Sequence, residues 1–136
     1  MKKPTGRRPL FAGNWKMHAA RGETTALIAG IKEAAAAARD RDVVVAPPFT
    51  ALETAAHALT GTTIGLAGQN LHTEPKGAFT GEIAGEMLKD VGCAFVIIGH
   101  SERRQYFNES NEMVRHKIAA ALRKEITRAR MVPIGR

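Results

Sequence analysis

Four short apolar runs recur along the chain, and a segment with helical periodicity follows each of them. The runs cover residues 9–12, 43–47, 64–67 and 95–98. They are too continuously apolar for a sheet with one solvated face, which predicts parallel strands covered by helices. The β-α order, repeated four times, predicts an α/β fold. A barrel and a doubly wound open sheet both fit this order equally well.

Helices are predicted after all four runs. They cover residues 24–39 and 49–59, a third segment that begins at Thr80 as its N-cap, and residues 110–126. Glu82 lies in the first turn of the third segment, where the helix dipole favours an acid. In the fourth helix, apolar residues four apart predict one buried face, formed by Val114, Ile118 and Leu122.

The net charge of +7 is confined to the ends of the chain. Residues 1–8 contribute +4 and residues 115–136 contribute +6, whereas residues 9–114 sum to −3. A short basic arm and a basic last helix are typical of solvated surface, which argues against nucleic acid as a partner. A nucleic-acid-associated protein stays an alternative class, and strongly salt-dependent binding would identify it.

Length and composition predict one globular domain, since the 136 residues are 44% apolar and 24% charged. The single cysteine, Cys93, rules out an internal disulfide and a multi-cysteine metal cluster, and its apolar neighbours predict a small buried side chain. The longest strongly apolar run, 94–98, is far shorter than the ~20 residues of a membrane helix. No secretory apolar segment follows the basic amino terminus. We expect a cytoplasmic protein without membrane contact, metal or cofactor.

Polar side chains follow the first and fourth predicted strands, where ligands bind in parallel α/β folds. Asn14 and Lys16 follow the first strand, and His100 and Glu102 follow the fourth. Lysine offers a point charge for an anion such as phosphate, asparagine an amide, and histidine a hydrogen-bond donor or acceptor. Glu102 is either a general base or, followed by Arg103 and Arg104, an ion-paired carboxylate of low pKa.

Two further segments stand out. Residues 68–81 form a long connection rich in Gly, Thr, Asn and Pro, and loops of this length are usually functional or mobile. Residues 131–136 could begin a fifth strand, although Pro133 removes a backbone donor from any sheet ladder.

Four sequence words, in this order, resemble successive segments of the triosephosphate isomerase family. They are FAGNWKM (11–17), VVVAPPFTAL (43–52), GLAGQNLHTEPKGAFTGEIAGEML (65–88) and VIIGHSERRQYF (96–107). The resemblance runs from residue 9 to about 124. It implies a (β/α)₈ TIM barrel of ~250 residues in the complete enzyme, so this chain holds about four of the eight βα units, an incomplete half-barrel. Residues 1–8 are then a basic arm, 9–126 the half-barrel, and 127–136 a divergent tail or an aborted fifth strand.

The resemblance also implies roles in the interconversion of dihydroxyacetone phosphate and glyceraldehyde 3-phosphate, a step of glycolysis and gluconeogenesis. Lys16 matches the lysine that binds the substrate phosphate, and Asn14 matches its neighbour in the site. His100 matches the electrophilic histidine, which acts as a neutral imidazole at a helix amino terminus, a pattern for which this family is itself the standard example. Glu102 matches a supporting glutamate that adjoins Lys16, and Ser101 a supporting hydroxyl near the catalytic base.

Homodimer contacts are implied by the resemblance as well. Thr80, in the 72–81 loop, matches the residue that a partner subunit inserts beside Asn14 and Lys16. Other interface or loop-supporting positions are matched by Gln69, Glu82 and Arg103. Four strands without the other four also leave open sheet edges, and the apolar edge at 95–98 is a template for pairing with another chain. We expect a homo-oligomer that uses the 72–81 loop and the sheet edges.

The family's other catalytic parts have no match in this sequence. Its general base is a glutamate after the sixth strand, followed by a closing lid and by glycine-rich phosphate turns after strands seven and eight. Where the family has a Cys-x-Gly-Glu word after its fifth strand, this chain has PIGR at 133–136. We therefore predict little or no isomerase activity for the chain alone and weak or absent binding of triose phosphate. The alternative is a non-catalytic half-barrel scaffold or interaction module.

Overall fold

The computed structural model describes residues 6–123, and those residues contain one parallel sheet of four strands. The strands are short, as the lengths of the apolar runs predict. They are β1 (Leu10–Asn14), β2 (Asp42–Ala46), β3 (Gly65–Gly68) and β4 (Phe95–Val96). Each strand pairs with the one before it along the chain, in the order β1-β2-β3-β4. In a doubly wound sheet the order of the strands reverses at a switch point. The uninterrupted order β1-β2-β3-β4 therefore favours the barrel alternative.

Helices follow every strand. They are α1 (Arg21–Ala35), α2 (Leu52–Ala58), α3 (Gly85–Asp90), α4 (Ser101–Phe107) and α5 (Asn111–Arg123), and a single 3₁₀ turn, Phe49–Ala51, leads into α2. The amino terminus of α1 is closed by Glu23, whose carboxylate accepts the Ala20 N–H at 2.9 Å, the glutamate half of a capping box. The prediction of an α/β fold built from four βα units is confirmed.

Both faces of the central strands β2 and β3 are covered, as the argument from continuously apolar strands predicts, whereas the middle of the edge strand β1 is exposed. Val45, Leu66 and Val96 face the helices and pack with Ile28 and Leu88 in the larger core cluster. The opposite face carries small side chains that form a second buried cluster of Val44, Ala46, Ala67 and Ile97. In a TIM barrel this second face is the interior, which side chains fill in layers.

The third helix begins later than predicted. Thr80 is not its N-cap, because α3 begins at Gly85 after Ala84, which offers no side-chain cap. Gly81 has a φ of +90°, a backbone conformation that stops a right-handed helix from starting at Thr80. The backbone is instead held by a bridge in which the His72 N–H donates to the Ile83 carbonyl at 2.8 Å.

The fourth unit contains an additional helix. The sequence predicts one helix over 110–126, whereas the structure has α4 and α5, separated at Asn108, whose φ of +53° closes α4. The buried face of α5 also differs from the predicted one, because Leu122 is 61% exposed while Lys117, Ala120 and Ala121 are buried. Residues 124–136, including the predicted fifth strand and tail, lie outside the described residues, as do residues 1–5.

Cys93 is buried as predicted, with 4% of its surface exposed, and burial raises the pKa of its thiol to about 12. We expect a thiol reagent at pH 8 to label the native chain at least ~100-fold more slowly than the urea-unfolded chain, because only the exposed thiolate reacts. The folded state holds this proton more tightly, so the free energy of unfolding should fall as pH rises from about 9 toward 12. Equal labelling rates for the native and unfolded chains would show that Cys93 is accessible to the reagent in the native state.

Within residues 6–123, no helix is both long and apolar enough to cross a membrane. The same part of the chain holds no group of three or more His, Cys, Asp or Glu side chains that could bind a metal ion.

Candidate active site

The carboxyl ends of β1 and β4 bring the predicted lysine and histidine segments together. Lys16 lies two residues beyond β1, and its Nζ is 2.7 Å from Oε1 of Glu102, in the first turn of α4. His100 immediately precedes α4, and its ring is almost fully buried. Four strands that end at the same edge therefore place an ammonium, a carboxylate and an imidazole side by side, as the position of these residues in the sequence predicts.

The backbone of Lys16 is unusual, with a φ of +55°. Oδ1 of Asn14 accepts the Lys16 N–H at 2.9 Å, and Nε2 of Gln69 donates to the Lys16 carbonyl at 2.8 Å. The side chain of Asn14 thus contacts the main chain of Lys16. Gln69, which resemblance places at an interface or loop-supporting position, makes an intrachain contact to this same residue.

His100 caps α4 with its side chain. Its Nδ1 accepts the Glu102 N–H at 3.2 Å, which satisfies one of the free donors at the start of the helix. In the neutral imidazole, an accepting Nδ1 leaves the hydrogen on Nε2. The ring therefore presents an N–H donor on the side away from α4, which is the form that an electrophilic histidine needs.

Glu102 is an ion-paired carboxylate, which resolves the two interpretations that the sequence leaves open. The hydrogen bond from Lys16 is the largest cause that lowers the pKa of Glu102. Burial opposes it as the second-largest effect, and electrostatic effects of Lys16 and then His100 lower this pKa further. The expected pairing with Arg103 is not formed, because the Arg103 guanidinium binds Glu109. A carboxylate of lowered pKa is a weak base, so the geometry favours a supporting role.

A buried ionic network connects α4 to α5, and it was not predicted from the sequence. Glu109, with 4% of its surface exposed, accepts a hydrogen bond from Arg103 Nε at 2.8 Å and lies 3.2 Å from Lys117 Nζ. Lys117 in turn donates to Oδ1 of Asn70 at 2.9 Å, and both residues are buried. The sequence offered one signal. Lys117 lies three and four positions before Ala120 and Ala121, so all three share the buried face of α5, and a buried cation needs an anion as its partner.

The remaining predicted residues lie at the surface. Ser101 is exposed at the start of α4, and Thr80 and Glu82 are exposed in the connection between β3 and α3. In the same connection, the rings of His72 and Phe79 stack with their centroids 4.2 Å apart. Within residues 6–123, Ser101, Thr80 and Glu82 make no hydrogen bond to Lys16, which is bonded by Asn14 and Gln69.

A sequentially ordered parallel sheet, with polar side chains gathered where its strands end, defines a protein of the TIM-barrel class. The model of the triosephosphate isomerase family matches residues 9–130. Triosephosphate isomerase of Herpetosiphon aurantiacus is 53% identical over 116 residues, which are 85% of this chain and 46% of that protein. The enzyme of Roseiflexus castenholzii is 49% identical over 121 residues, which are 89% of this chain and 48% of the relative.

A crystal structure of triosephosphate isomerase from Bartonella henselae superposes with a TM-score of 0.81 at 42% identity, and the match covers 86% of this chain and 48% of that one. The chain belongs to the triosephosphate isomerase family. It spans about half the length of the curated relatives it matches, and its four strands form about half of a TIM barrel.

Proposed function

We propose that this chain provides the phosphate-binding and electrophilic half of a triosephosphate isomerase active site. The proposal rests on one contact. The Lys16 Nζ lies 2.7 Å from Oε1 of Glu102, two residues after His100, so the lysine after β1 and the histidine after β4 share one site. Family membership supports dihydroxyacetone phosphate and glyceraldehyde 3-phosphate as the substrates. The corresponding location is the cytoplasm, and the corresponding processes are glycolysis and gluconeogenesis.

Each side chain then has a defined part in the reaction. The Lys16 ammonium binds the substrate phosphate, and Asn14 fixes the backbone that carries it. The Nε2–H of His100 donates to the substrate carbonyl and stabilises the oxyanion that develops when a proton leaves the adjacent carbon. Glu102 keeps the ammonium of Lys16 in place, and Ser101 contributes a hydroxyl at the edge of the site.

The proton must be removed by a base from outside this sequence. Glu102 does not suit that step, because its carboxylate is already paired with Lys16 and the pKa of Glu102 is lowered. The chain alone therefore has little or no isomerase activity and binds triose phosphate weakly. A homo-oligomer would form through the 72–81 loop, with Thr80, Gln69, Glu82 and Arg103 at or near the contact, and through the open edges of β1 and β4.

A split-enzyme assay tests this function. Glyceraldehyde 3-phosphate turnover is measured for the purified chain, for the part of the Herpetosiphon aurantiacus enzyme that this chain does not match, and for the two refolded together. We expect turnover by the mixture to exceed that of either part by at least ~100-fold, since only the mixture holds both electrophile and base. The same mixture made with the Lys16→Met variant should lose the gain.

Two outcomes would contradict the proposal. Turnover by the chain alone within about a hundredfold of the full-length relative would show that the base lies within this sequence. A stable complex of the two parts without any turnover would favour the alternative, a non-catalytic half-barrel scaffold or interaction module.

A further inference from the structure

Lys16 occupies a backbone conformation that a residue with a β-carbon seldom adopts. Its φ of +55° lies in the left-handed region, where contact between the β-carbon and the following carbonyl is unfavourable. Such a conformation persists only where the surrounding contacts determine it. The contacts that fix the two peptide groups of Lys16 therefore decide where its ammonium lies.

One side chain reaches Lys16 from two strands away in the sheet. Gln69 directly follows β3, and its Nε2 donates to the Lys16 carbonyl and to the Ala46 carbonyl, both at 2.8 Å. Ala46 is the last residue of β2. The two hydrogens of one amide group thus tie the turn after β1 to the carboxyl end of β2, from a residue 53 positions away in the sequence.

The direction of the Lys16 side chain depends on these two hydrogen bonds. A change of φ from +55° to the right-handed region would turn the side chain away from its present direction, and the contact of Nζ with Glu102 would be lost. Asn14 holds the N–H of Lys16 and Gln69 holds its C=O, so the residue is fixed from both ends.

We propose that Gln69 is a positioning residue that holds Lys16 in its left-handed conformation and so places the ammonium beside Glu102 and His100. The inference deepens the proposed function, on which its catalytic meaning rests. It gives Gln69 a role within the subunit, in addition to its expected position at or near the interface.

Titration of Glu102 tests the inference without any need for turnover. The Gln69→Met variant keeps the length of the side chain and removes its donor, and carbon-13 NMR follows the Glu102 carboxylate as pH is lowered. In the unmodified chain the pKa of Glu102 is lowered by Lys16. In Gln69→Met we expect this pKa to return toward its ordinary value, as it must in the positive control Lys16→Met.

A matched control separates this local effect from a general one. Gln105 is exposed on α4, so Gln105→Met introduces the same change away from Lys16 and should leave the Glu102 titration unchanged. The Gln69→Asn variant, one carbon shorter, should act in the same direction as Gln69→Met and disturbs packing less. The inference is overturned if either Gln69 variant folds and retains the lowered Glu102 pKa.

Unfolding of both Gln69 variants would also overturn it, since Gln69 would then serve the stability of the whole sheet. Failure of the proposed function gives a different pattern. A split-enzyme mixture without turnover, combined with a Glu102 titration that shifts in Gln69→Met, would refute the function and leave the positioning role of Gln69 in place.

Discussion

The Glu109→Ala variant is expected to lose about 3–5 kcal/mol of stability, a large part of what a domain of this size has. The Glu109 carboxylate is almost completely buried between two cations, with Arg103 Nε at 2.8 Å and Lys117 Nζ at 3.2 Å. Its removal leaves the Lys117 ammonium buried, with the neutral Asn70 amide as its remaining partner among residues 6–123. An uncompensated buried charge is among the costliest changes that a single substitution makes.

Urea denaturation followed by circular dichroism measures this loss. The matched control is Glu112→Ala on α5, where the carboxylate lies 3.7 Å from Arg115 and both side chains are more than 70% exposed. An exposed pair of this kind contributes about 0–1 kcal/mol. A Glu109→Ala variant no less stable than Glu112→Ala would mean that water reaches the network and solvates its charges.

The His100→Asn variant is expected to lower kcat of the split-enzyme mixture by about 10²–10⁴-fold, the usual worth of a proton-transferring or electrophilic group. Asparagine is a preferred N-cap, so its side-chain oxygen can replace Nδ1 as the acceptor of the Glu102 N–H. The substitution therefore keeps the start of α4 and removes the Nε2–H that the proposed function requires.

The control for this variant is His57→Asn, at an exposed position of α2 on the same half-barrel. It should change neither kcat nor the urea midpoint. If His100→Asn keeps kcat within tenfold of the unmodified mixture while both bind the same amount of the other half, the electrophile is another group and the assignment of His100 is wrong.

Apolar patterning predicted β2 and β3 well because their residues are largely buried, so most of each strand is marked in the sequence. It also located β1, although the middle of that edge strand is exposed. The same logic failed for α4. None of its residues is buried, and a helix without an apolar face leaves no periodic signal. Thr80 failed as an N-cap because the φ of Gly81 depends on the path of the long connection, which local propensity does not report.

The neighbourhood of Lys16 and His100 could be predicted, since parallel strands carry their following residues to one edge of the sheet. Gln69 and Glu109 could not be assigned their contacts in the same way. Gln69 donates to main-chain carbonyls 53 and 23 positions away, which nothing in its own sequence neighbourhood indicates. Glu109 binds Arg103 and Lys117 nearby in the chain, but an acidic residue between two helices carries no sign in the sequence that it is buried.

The sequential order of the strands also bears on how such a chain is made. Each strand pairs only with strands next to it in the chain, so every new βα unit can dock onto a surface that has already left the ribosome. The pairings between consecutive units keep the closing loops short for a parallel sheet. By the time α4 emerges, the lysine turn and its carboxylate partner are both present. The charged centre can therefore assemble during synthesis, before any later part of a barrel is needed.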